Sequence, residues 1–141
     1  MLSNIKNLND LKSNISDFEN FCKFIKENKF MISTGKLSEY YCHLLFNIKI
    51  KKKSNALYDG EDSESKKVEI KQRRSVSKSP SGMKIDLKRI DYVLYVFLDE
   101  EDLLPDEIIK IEKECITETS NGRVSFNDAF NNKKFTIKYK R

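Results

Sequence analysis

An α/β domain with a central mixed β-sheet flanked by helices is the fold class that this sequence predicts. Apolar residues recur at three- and four-residue steps up to Leu45, alternate with polar ones at residues 67–72, and form a continuous run at residues 92–98. A chain of 141 residues can build one compact core but not two ordinary ones. We therefore predict one domain over residues 1–141, with an N-terminal helix within 1–30, a core over 33–115 and a C-terminal extension over 116–141.

The composition limits the classes of partner and compartment. Hydrophobic residues are 38% and aromatic residues 11% of the chain, too many for a wholly disordered protein, and the net charge of +5 favours polyanionic partners. No apolar run approaches the roughly 18 residues that span a bilayer, and no signal-peptide core is evident. We expect a protein that has no membrane partner, is not secreted, and is cytoplasmic or associated with the nucleus or nucleoid. Its three isolated cysteines are expected to be reduced thiols (Cys22, Cys42 and Cys115).

Two helices are predicted before the first strand. The first covers about Leu8 to Asn28, where apolar residues fall on one stripe. The second begins near Ser33 or Thr34, either of which can cap a helix N-terminus. Its side chains expected to face the core are Leu37, Tyr40, Tyr41, Leu44 and Leu45.

The strands are predicted from alternation and from continuous apolar runs. Phe46–Ile50 alternates and is either a short strand or the fraying end of the helix. Ala56–Tyr58 and Lys67–Gln72 are joined by a turn-forming segment, which predicts a β-hairpin. Tyr92–Leu98 is typical of a central strand buried on both faces.

The remaining elements are predicted from residues that favour loops or the first turn of a helix. The serine-rich segment Ser75–Met83 is predicted to be a loop, and Pro105 is a suitable first residue for a helix over Asp106–Cys115. One helical turn is expected over Ser125–Phe130, and an edge strand over Lys134–Tyr139.

The predicted hairpin carries the candidate active site. Glu69 and Lys71 are two residues apart on a strand and therefore share one face, and Asp59 follows the preceding strand. Carboxylate oxygens are the ligands that Mg²⁺ prefers, so Asp59, Glu69 and the backbone carbonyl of Ile70 are candidate metal ligands, with Mn²⁺ able to substitute. Lys71 could orient or help deprotonate a water molecule and offset charge on phosphorus. Glu39, on the preceding helix, could reach the metal directly or through water.

Two questions about this hairpin stay open in the sequence. Asp62 or Glu61 could be the ligand in place of Asp59, since spacing alone does not decide. Basic and polar residues flank the hairpin on both sides, and such side chains supply most sequence-independent affinity for DNA. The predicted DNA contacts are Lys51, Lys52, Lys53, Gln72, Arg73, Arg74 and Lys78.

This arrangement resembles the PD-(D/E)XK nuclease superfamily, which has the restriction-endonuclease-like fold. The matching residues are Glu39 in the early helix, Asp59 after the first strand of the hairpin, and Glu69-Ile70-Lys71 on its second. The resemblance extends over roughly residues 33–112, and Tyr58 stands where the name-giving proline would be. It implies metal-dependent cleavage of DNA.

The function predicted from these residues is a Mg²⁺-dependent endodeoxyribonuclease, restriction-like or acting on branched DNA. A homodimer is a simple way to cut both strands, because each protomer offers one site. The alternative is a non-catalytic DNA-binding or assembly subunit on the same fold. A basic protein-interaction module is a third possibility.

Overall fold

The computed structural model describes residues 34–51, 57–74 and 83–141. The predicted N-terminal helix and the candidate DNA contacts Lys52, Lys53 and Lys78 lie outside the described residues. Within them, no helix has the length and apolar character needed to cross a membrane. In chain order the helices and strands are α1 (Thr34–Phe46), β1 (Lys49–Ile50), β2 (Gly60–Glu61), β3 (Lys67–Arg74), β4 (Met83–Lys84), β5 (Tyr92–Leu98), β6 (Pro105–Glu112), β7 (Thr117–Glu118), β8 (Arg123–Ser125), α2 (Asn127–Asn131) and β9 (Thr136–Lys140).

A mixed six-stranded sheet organises the described residues, which confirms the predicted α/β class with a mixed sheet. Its strand order is β1-β2-β3-β5-β6-β9, and β3 and β5 are its parallel pair. The antiparallel β2–β3 pair confirms the predicted hairpin. The strand β9 lies at the edge of this sheet, as predicted, so the C-terminal residues belong to the main sheet.

The strand β5 separates two hydrophobic cores. All seven of its residues are buried, as predicted for a central strand. On one face, Leu94 and Val96 pack with Tyr41 and Leu44 of α1. On the other face lies a second core that includes Val124, Phe126 and Ala129, contributed by a three-stranded sheet of order β4-β8-β7 and by α2. Among the described residues, a helix therefore covers one face of the main sheet, and a small sheet with a five-residue helix covers the other.

The predicted helix over Asp106–Cys115 is wrong. Residues Pro105–Glu112 form β6, which pairs antiparallel with β5. Ile108 packs in the core beneath α1, while Ile109 and Ile111 pack in the second core, as alternation along a strand requires. The reason is tertiary: β-branched isoleucines suit a pleated surface, and β5 needs a hydrogen-bonding neighbour on this side.

Around α1 the structure decides two points. The alternating segment after the helix is a separate strand, because α1 ends at Phe46, Asn47 takes a positive φ of 57°, and β1 follows. The prediction that Tyr40 faces the core is wrong: it is 37% exposed, whereas Tyr41 is fully buried. Two neighbours on a helix point about 100° apart, so one aromatic ring enters the core and the other stays at the surface.

The hairpin differs slightly from its predicted bounds. Its first strand is β2, Gly60–Glu61, rather than residues 56–58, and Leu57 is 57% exposed. Its second strand, β3, continues beyond Gln72 to Arg74. The predicted helical turn after Ser125 is confirmed as α2.

Close packing at Gly60 yields a stability prediction. A Cβ atom at this position would lie 2.7 Å from Ile48 Cγ2 and 2.8 Å from the Lys49 carbonyl oxygen, and the second contact is with backbone. We expect Gly60→Ala to lower the free energy of unfolding by about 1–3 kcal/mol in urea denaturation. Ser63→Ala, in the exposed turn of the same hairpin, should change it by less than about 0.5 kcal/mol. Equal stability of the two variants would contradict this prediction.

Candidate active site

The hairpin holds Asp59 against the edge of β3. Because β2 has only two residues, its pairing with β3 ends at Val68, and Asp59 continues the contact by other means. The Asp59 N–H donates to the Val68 carbonyl oxygen at 3.0 Å, and the Ile70 N–H donates to Asp59 Oδ2 at 2.7 Å. The side chain of Asp59 thus takes the place of a strand partner beside Glu69.

Glu69 and Lys71 form a half-buried ion pair on β3. Lys71 Nζ lies 2.9 Å from Glu69 Oε1, and the two side chains are only 25% and 14% exposed, respectively. They point to the face opposite Val68 and Ile70, whose side chains are buried beneath α1. A charged pair this enclosed is held in one geometry by its surroundings, unlike an exposed pair on a hairpin surface.

Glu39 joins these residues from α1. Its side chain is 18% exposed and lies 3.4 Å from Lys36 Nζ, one turn earlier on the helix. Burial raises the pKa of Glu39, the negative charge of Asp59 raises it further, and Lys36 opposes the shift. Asp59 therefore lies within electrostatic range of α1 as well as of β3.

The pKa of Glu69 reports the same arrangement. Burial raises it most, Asp59 and Glu39 add to the rise, and the ion pair with Lys71 opposes it. The Cys42 thiol on α1 responds likewise, since burial and the charges of Asp59 and Glu39 raise its pKa. Three carboxylates, from α1, from the residue before β2 and from β3, thus influence one another.

The donor set fits a hard divalent cation. The three carboxylates supply only oxygen ligands, and the raised pKa values of Glu39 and Glu69 show that burial and mutual repulsion disfavour their charged forms. A cation with two positive charges would offset this repulsion. As the side chains stand in residues 34–51, 57–74 and 83–141, no three acidic, histidine or cysteine side chains form a ready metal-binding group.

Asp62 and Glu61, the alternatives to Asp59, are engaged elsewhere in the hairpin. Asp62 accepts hydrogen bonds from the Tyr92 hydroxyl at 2.8 Å and from two backbone N–H groups of its own turn. Glu61 accepts from the Tyr58 hydroxyl at 2.6 Å and pairs with Lys51. Both carboxylates stabilise the hairpin, and Asp59 is the one whose charge acts on Glu39 and Glu69.

Tyr58, which departs from the proline of the resemblance, has a structural role. Its ring centroid lies 5.4 Å from Lys51 Nζ and 5.5 Å from Lys67 Nζ, within cation–π range of both. Together with the bond to Glu61, these contacts connect the residue that follows β1 with β2 and β3, just before Asp59. The tyrosine thus helps to position the aspartate.

The residues of β3 predicted to contact DNA lie on both faces of that strand. Arg73 follows Lys71 on the same face of β3, because it pairs in register with Phe97 as Lys71 does with Tyr95. Gln72 and Arg74 point to the opposite face, and Arg74 is exposed. Lys51 is 42% exposed and lies 3.3 Å from Glu61. The described basic residue that continues the row of Glu69 and Lys71 is therefore Arg73.

Sequence reasoning missed Lys36, although its spacing offered a signal. Residues three apart on a helix are neighbours, and Lys36 precedes Glu39 by three. The structure places its ammonium group beside Glu39 as a second cation near the carboxylates.

Comparisons of the chain with protein families and with curated proteins gave no match.

The raised pKa of Glu39 predicts a pH dependence of stability in the absence of metal. The unfolded chain releases this proton near the ordinary value of 4.5, whereas the folded state holds it to higher pH. Its stabilising contribution is complete below that value and is lost as the pH rises through the folded pKa. We therefore expect the Tm of the wild type, relative to that of Glu39→Gln, to fall as the pH rises above 4.5 in EDTA.

The control for this prediction is Glu118→Gln, which alters an exposed side chain on β7. Its Tm should follow that of the wild type across the same range. If the Tm difference between the wild type and Glu39→Gln is also constant with pH, folding does not raise the pKa of Glu39.

Proposed function

We propose that this protein is a Mg²⁺-dependent nuclease that hydrolyses DNA phosphodiester bonds, with the restriction-endonuclease-like fold. The observation that carries the proposal is the half-buried Glu69–Lys71 ion pair, with Asp59 hydrogen-bonded to the same strand and Glu39 within electrostatic range. The order of α1, the β2–β3 hairpin and β5, which is parallel to β3, supports the fold assignment.

Asp59, Glu69, Glu39 and the backbone carbonyl of Ile70 are the groups that would hold the metal. Bound Mg²⁺ supplies a Lewis acid for the phosphoryl group and lowers the pKa of its water. The chain itself fixes Asp59 through the Ile70 N–H, so this carboxylate is oriented before a ligand arrives. Such preorganisation reduces the cost of assembling the site.

Lys71 is proposed to act on the attacking water and on the phosphate. Glu69 holds its ammonium group at 2.9 Å, which keeps the cation beside the carboxylates rather than in bulk solvent. From there Lys71 can orient the water and donate hydrogen bonds to phosphate oxygens as negative charge develops on them. Arg73, next along the same face, can pair with a neighbouring phosphate through its planar guanidinium.

DNA as the partner is supported by the overall charge of +5 and by the position of Arg73 beside Lys71. A homodimer remains part of the proposal because one protomer contributes one set of these residues, and a duplex has two strands to cut.

Supercoiled plasmid provides the test of this proposal. Purified protein should nick or linearise the plasmid with Mg²⁺ or Mn²⁺ and should leave it intact in EDTA. Binding seen as a gel shift that weakens with salt, without cleavage in either metal, would replace the nuclease by the non-catalytic DNA-binding subunit. If the protein neither cleaves nor binds the plasmid, both the nuclease and the non-catalytic DNA-binding subunit are overturned.

A further inference from the structure

A groove lies next to the candidate active site, between α1 and β1. It has a volume of about 400 Å³, in the range of small-molecule pockets. Glu39 belongs both to this groove and to the carboxylate cluster, so the two are continuous. The lining residues are Lys36, Glu39, Tyr40, His43, Lys49 and Ile50.

The lining combines an aromatic ring with positive charge. Tyr40 is one of the three large hydrophobic side chains that stand exposed among the described residues, and it opens onto this groove. Lys49 supplies an ammonium group on the strand side of the groove, and Lys36 supplies one on the helix side that lies 3.4 Å from Glu39. An aromatic platform accompanied by lysines is the combination that binds single-stranded nucleic acid, through base stacking and phosphate contacts.

His43 adds a polar group with a defined orientation. Its Nδ1 lies 2.9 Å from the Ile48 carbonyl oxygen, which can only accept, so Nδ1 carries the hydrogen. Nε2 of the neutral ring is therefore an acceptor, which can meet a donor group of a ligand in the groove. This contact also fixes the ring relative to the end of α1.

We propose that this groove binds an unpaired nucleotide of the substrate strand, with its base stacked on Tyr40 and its phosphate held by Lys49. The inference rests on the proposed function for the nature of the substrate, and it adds a preference for DNA that has an unpaired segment beside the scissile bond. Bases inside a duplex are stacked on each other and cannot offer a face to Tyr40, whereas a flap, bulge or branch can.

Fluorescence anisotropy of the full-length chain in EDTA tests the groove without requiring cleavage. The probes are a labelled duplex with a single-stranded flap and a blunt duplex of the same sequence. The wild type should prefer the flap. Tyr40→Ala should weaken flap binding about tenfold, since base–aromatic stacking is worth about 1–3 kcal/mol, and Tyr40→Phe should retain the preference.

Two further comparisons separate base from phosphate recognition. On a flap whose nucleotides are abasic, Tyr40→Ala should bind like the wild type, because no base is left to stack. Lys49→Ala should weaken flap binding. It should also reduce the slope of the logarithm of the binding constant against the logarithm of the salt concentration by about 1, as expected for the loss of one phosphate contact. Lys138→Ala, an exposed lysine on β9 at the opposite edge of the sheet, should leave the flap preference unchanged.

A flap preference that persists in Tyr40→Ala, or a wild type that binds neither probe, overturns the inference about the groove. Plasmid cleavage in Mg²⁺ without a flap preference would keep the proposed nuclease and remove only the groove. A Tyr40-dependent flap preference without cleavage would keep the groove and remove the nuclease.

Discussion

Replacing Lys71 with alanine is expected to reduce Mg²⁺-dependent plasmid cleavage at least about a hundredfold, with little change in DNA affinity. The ammonium group is one cation among many for binding DNA, but it is the one held 2.9 Å from Glu69. Its removal would take away the proposed donor to the reacting phosphate and water while leaving the other basic residues in place. Initial cleavage rates and gel-shift affinities, measured on the same preparation, check both parts.

The chain offers a closely matched control for Lys71. Lys110 on β6 pairs with Glu112, two residues further along, at 3.2 Å, and its side chain is 24% exposed, against 25% for Lys71. It differs in location, since its Nζ lies 4.2 Å from the centroid of the Tyr92 ring. Lys110→Ala should therefore cleave like the wild type. Equal loss in both variants would mean that a half-buried lysine–glutamate pair serves stability rather than catalysis.

Replacing Asp59 with asparagine is expected to abolish both cleavage and the stabilisation of the folded protein by Mg²⁺. Asparagine keeps an oxygen that can accept from the Ile70 N–H, so the hairpin contact of 2.7 Å can be retained while the charge is lost. Without that charge the proposed site keeps only a neutral amide oxygen at this position, which attracts a hard divalent cation less than a carboxylate does. The measurement is thermal denaturation at increasing Mg²⁺ concentration. Mg²⁺ should raise the Tm of the wild type and leave that of Asp59→Asn unchanged.

Asp62→Asn tests the competing ligand on the same hairpin. The carboxylate of Asp62 accepts bonds from the Tyr92 hydroxyl and from its own turn, so this variant should lose some stability in EDTA. It should nevertheless keep its response to Mg²⁺ and its cleavage at a temperature where it is folded. A variant that is stable but no longer responds to Mg²⁺ would identify Asp62 as the ligand and displace Asp59.

Loss of activity in Lys71→Ala and loss of metal response in Asp59→Asn would together separate two roles within one cluster. The lysine would then be assigned to the reaction itself, and the aspartate to binding of the ion on which the reaction depends. A non-catalytic DNA-binding subunit would show neither effect, although it could bind DNA with similar affinity.

Much of the hairpin could be predicted from the sequence because its signals are local. Alternation of Val68 and Ile70 with Glu69 and Lys71 assigns the two sets to opposite faces, and the structure agrees. The apolar run of β5 likewise needs no distant information, since seven successive apolar residues of strand length are expected to be buried.

The segment after Pro105 shows where local signals mislead. A proline followed by acidic residues and three isoleucines matches the start of a helix, yet the residues form β6. The periodicity of so short a run is compatible with both a helix and a strand. The edge of β5 that β6 occupies decides in favour of the strand. The decision depends on backbone pairing with β5, which the periodicity of the isoleucines alone does not reveal.

The sequence by itself determined the hairpin, the central strand and the shared face of Glu69 and Lys71, because side-chain alternation is a property of the extended backbone. Only the tertiary structure decided that Asp59, rather than Asp62, lies near Glu39 and Glu69, since hydrogen bonds from Ile70 and Tyr92 draw the two aspartates to different neighbours. It likewise turned Tyr40 outward beside the site while Tyr41 entered the core. These outcomes depend on contacts between residues far apart in the chain, where the packing of α1 on the sheet outweighs any local preference.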